Sequence, residues 1–517
     1  MKKLRLILGD QLNANHSWFN EVDENVVYVL AEMLQEATYT KHHIQKVVAF
    51  FLSMRNFSMT LKSKGHQVIY YQITDENNPQ NLEKIITVCL EKHQIEKFEY
   101  QLPDEYRLDL QLKTIASNLK IPTEAFDSEH FYTTRDELAT FYKGKKLLLM
   151  ENFYRNMRKK HHLLMNGSTP EGNQWNFDHD NRKKYKGEIP VPKEKNFNTN
   201  VTEILLEIKH AGIQTIGNIK EECFNWPTSR TECLAVLEYF CTHLLPHFGD
   251  YEDAMHTEEK FLFHSRLSFA LNSKMLSPKE VIETVIACYH NNEAKISISQ
   301  VEGFVRQILG WREYIRGIYW KEMPHYAQMN VLENYNKLPD FFWNGNTKMN
   351  CVKHAIDQSL NEAYAHHIQR LMVIGNFTLL TQIHPNEVDA WYLGVYIDAI
   401  EWVEMPNTRG MSQYADGGII ATKPYISSGS YINKMSNYCL KCSYNVKEKI
   451  GDNACPFNSL YWNFLDEKKD YFKGNQRMAM MLNLLKKMKP EDLYQIKIKA
   501  NEIITNPDGD RKSTRLN

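Results

Sequence analysis

The chain has 517 residues, 43% of them hydrophobic and 24% charged, with a formal net charge of −1. That length holds two or three domains around a large core, and the balance is that of a soluble globular protein. Near-neutrality excludes a global basic field for nucleic acid, so any DNA contact must come from a local patch. No run of 18 apolar residues marks a membrane span. The first apolar run, residues 6–8, is broken at once by Gly9 and Asp10, too short for a signal peptide. The expected setting is the cytoplasm, where thiols stay reduced. The nine cysteines then point to a metal or redox site rather than a disulfide framework.

In chain order, LRLILG, VVYVLAE, HQVIYYQI and KFEYQLP read as strands. HHIQKVVAFFLSMRNFSMTLKSKG, NLEKIITVCLEKH and DLQLKTIASNLK read as helices. The alternation predicts a doubly wound parallel sheet over residues 1–130. The turn after the first strand is G-D-Q-L, without G-x-G-x-x-G, so a dehydrogenase-type dinucleotide site is not expected there. Residues 131–200 are basic and rich in Gly, Pro and Asn, and read as a long connection with little regular structure. Arg158, Lys159, Lys160, Arg182, Lys183 and Lys184 alternate there with Trp175, Phe177 and Tyr185. That mix suits phosphate contact with base stacking, or simply a solvated linker. From 201 to 508 the apolar spacing is i, i+3, i+4, predicting an all-helical domain. Residues 509–517 carry no apolar periodicity and are expected not to be native.

Several residues carry chemistry. Cys439 and Cys442 form a C-x2-C pair, and Cys455 stands before Pro456. Three thiols of a tetrahedral site are thus local, and the fourth ligand would be Cys351 or a histidine. Spacing leaves zinc, an iron–sulfur cluster and plain free thiols open. Cys89, Cys223, Cys233, Cys241 and Cys288 read as core residues. YAHHIQRLMVIGNF reads as one helix. It would put His367 and Leu371 on one face and His366 and Arg370 on the next. His367 is then either a satisfied core histidine or a buried proton donor. Aromatics are dense nearby, and Trp311, Trp320, Trp343, Trp391, Tyr392 and Trp402 are either core or stepping stones for electrons. HSRLSFALN offers Ser265, Leu267 and Ser268 at a helix start, a seat for a pyrophosphate. GWREYIRG places Trp311 and Arg312 mid-helix, where a buried arginine calls for an anionic partner. Asp398, Glu404 and Asn407 lie in YIDAIEWVEMPN, a mostly apolar stretch.

Together these strings resemble the photolyase/cryptochrome family, in its bacterial iron–sulfur branch. The resemblance rests on LILGDQL, LLMNG with WNFD, HSRLSF, EGFVRQILGWREYIRGIYW, NEAYAHHIQRLMVIGNF, MSQYADGG with TKPY, and GDNACPFN. It runs from about residue 4 to about 490. It implies a light-driven repair enzyme for (6-4) photoproducts in UV-damaged DNA, monomeric, with an α/β antenna domain and a helical FAD domain. It also implies a [4Fe–4S] cluster on Cys351, Cys439, Cys442 and Cys455, which sets zinc aside. Ser265, Leu267, Ser268, Trp311, Arg312, Asp398, Glu404 and Asn407 would hold FAD. Gly9, Asp10, Glu36 and Tyr39 would hold 6,7-dimethyl-8-ribityllumazine. His367, with His366 and Glu404, would serve the chemistry, and Trp391, Tyr392 and Trp343 would carry electrons. Arg182 and Lys183 would touch DNA. Leu371 stands where animal (6-4) enzymes carry a second histidine. A photoreceptor without repair activity shares the same motifs and is the alternative.

Overall fold

The structure, a computed structural model, describes residues 1–509; the last eight residues of the expected non-native tail lie outside them. Five strands form one parallel sheet: β1 (Lys3–Leu6), β2 (Val26–Ala31), β3 (Gln67–Tyr71), β4 (Lys97–Gln101) and β5 (Thr123–Phe126). Their order is β3-β2-β1-β4-β5, so the chain winds outward from β1 in one direction and then crosses to the other side. Side chains alternate between faces, as strand geometry requires. Leu4, Leu6, Val27 and Val29 pack with the helices Leu82–His93 and Tyr106–Asn118. Ile7, Tyr28 and Leu30 join Val47, Val48 and Phe51 of the helix Ile44–Ser63. That helix stops at Ser63, two residues before Gly65, whose φ of +95° only glycine adopts freely. β5 was not expected: T-E-A-F is a half-exposed edge strand and carries no apolar alternation.

The expected loop of 131–200 is only partly a loop. Met150–His161 is a helix whose buried face is Phe153, Tyr154, Met157 and Arg158. Its outward face is so basic that the apolar stripe is hidden in composition. Arg158 is fully buried and donates to the carbonyls of Leu163, Leu164 and Trp175. It is therefore a structural residue, not a phosphate contact.

The remainder is helical, but four of its helices are interrupted by wide π turns. These are Phe240–Leu244, Arg306–Arg312, Arg370–Gly375 and Pro406–Ser412. Such turns add a residue to the helical register and concentrate at functional sites. The histidine segment is not one helix. Asn350–Glu362 ends at Ala363 in the left-handed region (φ +52°), and helix resumes only at His367. His366 is the extended cap before it. Sequence periodicity overlooked this break because Ala363 is a good helix former on either side of it.

The two parts are in direct contact. Leu12 N–H donates to Ser273 O at 3.0 Å and His43 N–H to Gly394 O at 2.9 Å. Lys46 Nζ donates to the carbonyls of Leu393 and Ala399, 2.7 Å each. Gly394 permits this approach, since a Cβ there would lie 2.5 Å from Lys41 O.

Candidate functional site

In an open parallel sheet a ligand binds beyond the carboxyl ends of the strands, where the winding reverses. Here that point lies between β1 and β4. A cavity with about 140 Å³ open to the centre of a water molecule sits there, and Ala399 and Ile400 of the helical part close one side. Gly9, Asp10, Glu36 and Tyr39 all line it. Arg107 clamps Glu36 with two bonds (3.1 and 2.8 Å) and lies 4.7 Å from the Tyr39 ring. Glu105 also lines the cavity; burial, then the Glu401 carboxylate, pushes it up to about 8.

A second site is written in unpaired polar atoms of the helical part. Buried and without hydrogen-bond partners are His264 Nε2, Ser268 Oγ, Arg312 Nε and Nη1, His366 Nδ1, Trp402 Nε1 and both oxygens of Glu404. Buried polar groups left unpaired are costly, and a polar ligand would satisfy them. The seat at Ser268 opens a helix of only five residues, Ser268–Asn272, and Leu267 N–H bonds Ser265 Oγ at 3.4 Å. Arg312 lacks the anionic partner expected for it. It donates to His130 Nε2 (3.0 Å) and Leu271 O (3.1 Å), between the rings of Phe131 and Trp402. Burial brings its guanidinium down to about 10. Trp311 is half-buried beside it and meets Tyr314 edge-on.

Asp398 is fully engaged: its oxygens accept from Arg370 at 2.9 and 3.1 Å. Burial, then the neighbouring Asp389, raises Glu404 well above the usual carboxylate range and favours its neutral form. Asn407 Nδ2 is turned back onto Val403 O at 2.8 Å. His366 stacks on His264, with centroids 4.5 Å apart and planes 16° apart. This contact had no signal in sequence, because the two histidines lie a hundred residues apart. Burial, then the Arg370 charge, brings His367 down to about 4.

Trp391 and Tyr392 touch with ring centroids 5.6 Å apart, and both meet Tyr396, at 5.8 and 5.4 Å. Tyr396 in turn lies 3.8 Å from the Arg370 guanidinium. It was missed, although its i, i+4 spacing from Tyr392 was readable. Trp343 is 45% exposed, and the ring packed on Trp391 is its neighbour Phe342, at 5.2 Å.

The four expected thiols lie in one region of the helical part, near enough for Cys351 to sense the other three. Cys351 opens the helix Asn350–Glu362, Cys439 and Cys442 span a tight turn, and Cys455 caps Pro456–Glu467. Burial, then proximity to Cys455, Cys442 and Cys439, pushes the Cys351 thiol well above its ordinary value. Gly429 makes room, since a Cβ there would stand 2.7 Å from Cys455 Sγ. Among the described residues no three His, Cys, Asp or Glu side chains gather closely enough to hold a single metal ion. Of the other cysteines, Cys223 is exposed rather than core.

A family model for the Deoxyribodipyrimidine photo-lyase-related protein matches residues 5–226. Over 503 residues, 97% of this chain and 98% of the relative, the chain is 40% identical to the (6-4) photolyase of Agrobacterium fabrum. The chain belongs to the photolyase/cryptochrome family, in its photolyase-related branch. Two solved structures share its fold. A bacterial class III photolyase from Agrobacterium tumefaciens gives a TM-score of 0.55 at 13% identity, covering 84% of this chain and 86% of that one. The cryptochrome of Synechocystis sp. PCC6803 gives 0.53 at 14%, covering 94% and 99%.

In this photolyase-family chain the connection is docked. Phe177, Asn181 and Tyr185, four residues apart, are buried. Asn181 fits a notch where a Cβ on Gly249 or Gly303 would stand 2.9 or 2.7 Å from its side chain. Phe177 and Tyr185 are therefore not free to stack on bases. Arg182 and Lys183 remain at the surface, lining an open pocket. Both have acidic neighbours: Asp178 at 3.8 Å and Asp253 at 4.0 Å for Arg182, Asp250 at 3.0 Å for Lys183. Among the described residues no helix is long and apolar enough to cross a membrane.

Proposed function

We propose that this photolyase-family protein is a light-driven repair enzyme for (6-4) photoproducts in DNA. The observation that carries it is the set of unpaired buried polar atoms on Ser268, Arg312, Trp402 and Glu404, with Arg312 against Trp402 and His366 stacked on His264. Near-full-length identity of 40% to a (6-4) photolyase supports the same reading.

The unpaired donors and the neutral-leaning Glu404 fit FAD, which when bound and reduced supplies a light-driven electron. Ser265, Leu267 and Ser268 would hold its phosphates. Arg312, Glu404 and Asn407 would surround its polar edges, with Asp398 acting through Arg370. His367 is the proton donor. Its depressed pKa means that it rests neutral, so the phosphates of a bound lesion must first raise its proton affinity. His366 and His264 fix its surroundings by stacking. Leu371 leaves the proton work to His367. The aromatic set Trp391, Tyr392 and Tyr396 would pass electrons inward.

The all-thiol donor set of Cys351, Cys439, Cys442 and Cys455 fits a [4Fe–4S] cluster. One distant ligand and three local ones would pin two helices together. The cavity beyond the carboxyl ends of β1 and β4 would hold 6,7-dimethyl-8-ribityllumazine, with Gly9, Asp10, Glu36 and Tyr39 among the residues lining it. Residues 1–130, 131–200 and 201–508 would serve as antenna domain, connection and flavin domain of a cytoplasmic monomer. Arg182 and Lys183 would contact the duplex, and extruding the lesion costs least where stacking is already damaged.

The test is repair itself. Photoreduced protein is incubated with one oligonucleotide carrying a (6-4) photoproduct and another carrying a cyclobutane dimer, with and without blue light. Light-dependent loss of the (6-4) lesion is the expected result. No loss of either lesion with intact flavin would replace repair by light sensing.

A further inference from the structure

We propose that Lys274 is the positioning residue through which the helical part completes the antenna seat, by holding Asp10 and Asp104 in place at the switch-point cavity. The inference rests on the reading of that cavity as an antenna site.

Lys274 follows the five-residue helix Ser268–Asn272, and its backbone lies in the left-handed region (φ +64°). Glycine takes that conformation freely, and any other residue at a cost. A side chain kept in such a place has a use, and here the use is visible. The Lys274 side chain is 1% exposed. Its Nζ donates to Asp10 O at 2.9 Å and to Asp10 Oδ2 at 2.7 Å, and lies 3.1 Å from Asp104 Oδ2. All of these partners belong to the α/β part, so the contact crosses from one part of the molecule to the other. A buried ammonium persists only where it is paired in this way.

Both partners line the cavity. Asp10 lies beyond β1 and Asp104 beyond β4, the two strands that flank the reversal of winding. Asp104 has a second cation, Arg316, with Nε 3.3 Å from its Oδ1. Burial pushes Asp104 up, but Lys274, Arg316 and Arg135 outweigh it and hold the carboxyl at about 2. It is a carboxylate, with Oδ2 held by the Lys274 ammonium at 3.1 Å and Oδ1 by Arg316. Asp10 is paired with Lys274 at 2.7 Å.

The same short segment reaches the flavin side. Asn272 Nδ2 donates to Asp398 O at 2.7 Å, and Ser273 O receives Leu12 N–H. Residues 268–274 therefore run from the phosphate seat to the antenna cavity without a break. Lys274 fixes the far end of that run, and with it the placement of one chromophore seat relative to the other.

Full-length, FAD-loaded protein depleted of lumazine is titrated with 6,7-dimethyl-8-ribityllumazine, with binding read by fluorescence and FAD content by absorbance. Wild-type protein is expected to bind. K274G relieves the backbone while removing the ammonium, and should bind at least tenfold more weakly at unchanged FAD content. K274Q, which keeps length without charge, should do the same, and K274R should recover part of the loss. Binding by K274G or K274Q within twofold of wild type overturns the proposal and leaves the antenna reading standing. Loss of FAD along with lumazine from both variants also overturns it, because Lys274 would then be a general structural residue. A wild-type protein that binds no lumazine sinks the antenna reading itself, and this inference with it.

Discussion

The two parts of this molecule build their sites by opposite means. In the α/β part the strands and helices run without interruption, and the cavity appears where strand order alone dictates it. In the helical part the candidate residues sit where helices fail: Arg312 in a π turn, His367 after a left-handed break, Asn407 in another π turn. A site fixed by topology can be lined with ordinary side chains. A site fixed by local distortion leaves polar atoms unpaired until a ligand arrives, as Glu404 and Ser268 are. The first kind tolerates loss of its ligand; the second is destabilised by it.

The sharpest way to break this comparison is at the distorted site. His367→Ala should leave FAD bound and lower light-driven repair by roughly a hundredfold or more, the usual weight of a positioned proton donor. Repair at the wild-type rate would put the proton elsewhere. Next in size is Cys351→Ala. If the thiol set pins helices together, the variant should not accumulate as soluble, FAD-loaded protein. Soluble, loaded protein would make any cluster there a redox device.

Acid titration should separate the two parts. His264 and His367 are each brought down to about 4, burial being the larger cause, against an ordinary value of about 6.5. The unfolded chain takes up these protons first. Stability is therefore lost as pH falls from about 6.5 towards 4, by up to roughly 3 kcal/mol for each histidine. Asp104 is also held low, but as a carboxylate. Its contribution is complete above its ordinary value and is lost only as pH falls towards 2. Release of flavin, read by its fluorescence, should precede loss of the sheet signal in far-UV circular dichroism. Simultaneous loss would mean that the two parts unfold as one. The smallest effect is expected at Arg182→Ala, whose charge is already shared with Asp178 and Asp253. Binding to lesion DNA should weaken a few-fold, with the salt slope reduced by about 1. An unchanged slope would remove Arg182 from the interface.

Some of this was legible in the sequence because it is local. Strand and helix periods, the C-x2-C pair and the helix over Pro278–His290 follow from residues within a few positions of one another. The strand–helix–strand rhythm over residues 1–130 suffices to call for a parallel sheet. What escaped was set by distant partners. The helix Met150–His161 was hidden by its basic face. The break before His367 lies beside His366, which stacks on His264 across the fold. Arg312 found His130 and two rings instead of an anion. The sequence by itself determined which segments are strand or helix and which residue types could carry the chemistry, because backbone period and side-chain identity are properties of neighbours. Only the tertiary structure decided that Cys351 lies near Cys439, Cys442 and Cys455, that Asp10 and Asp104 share one ammonium, and which buried atoms stay unpaired. Burial and pairing over hundreds of residues depend on how the elements pack, and no local pattern encodes that.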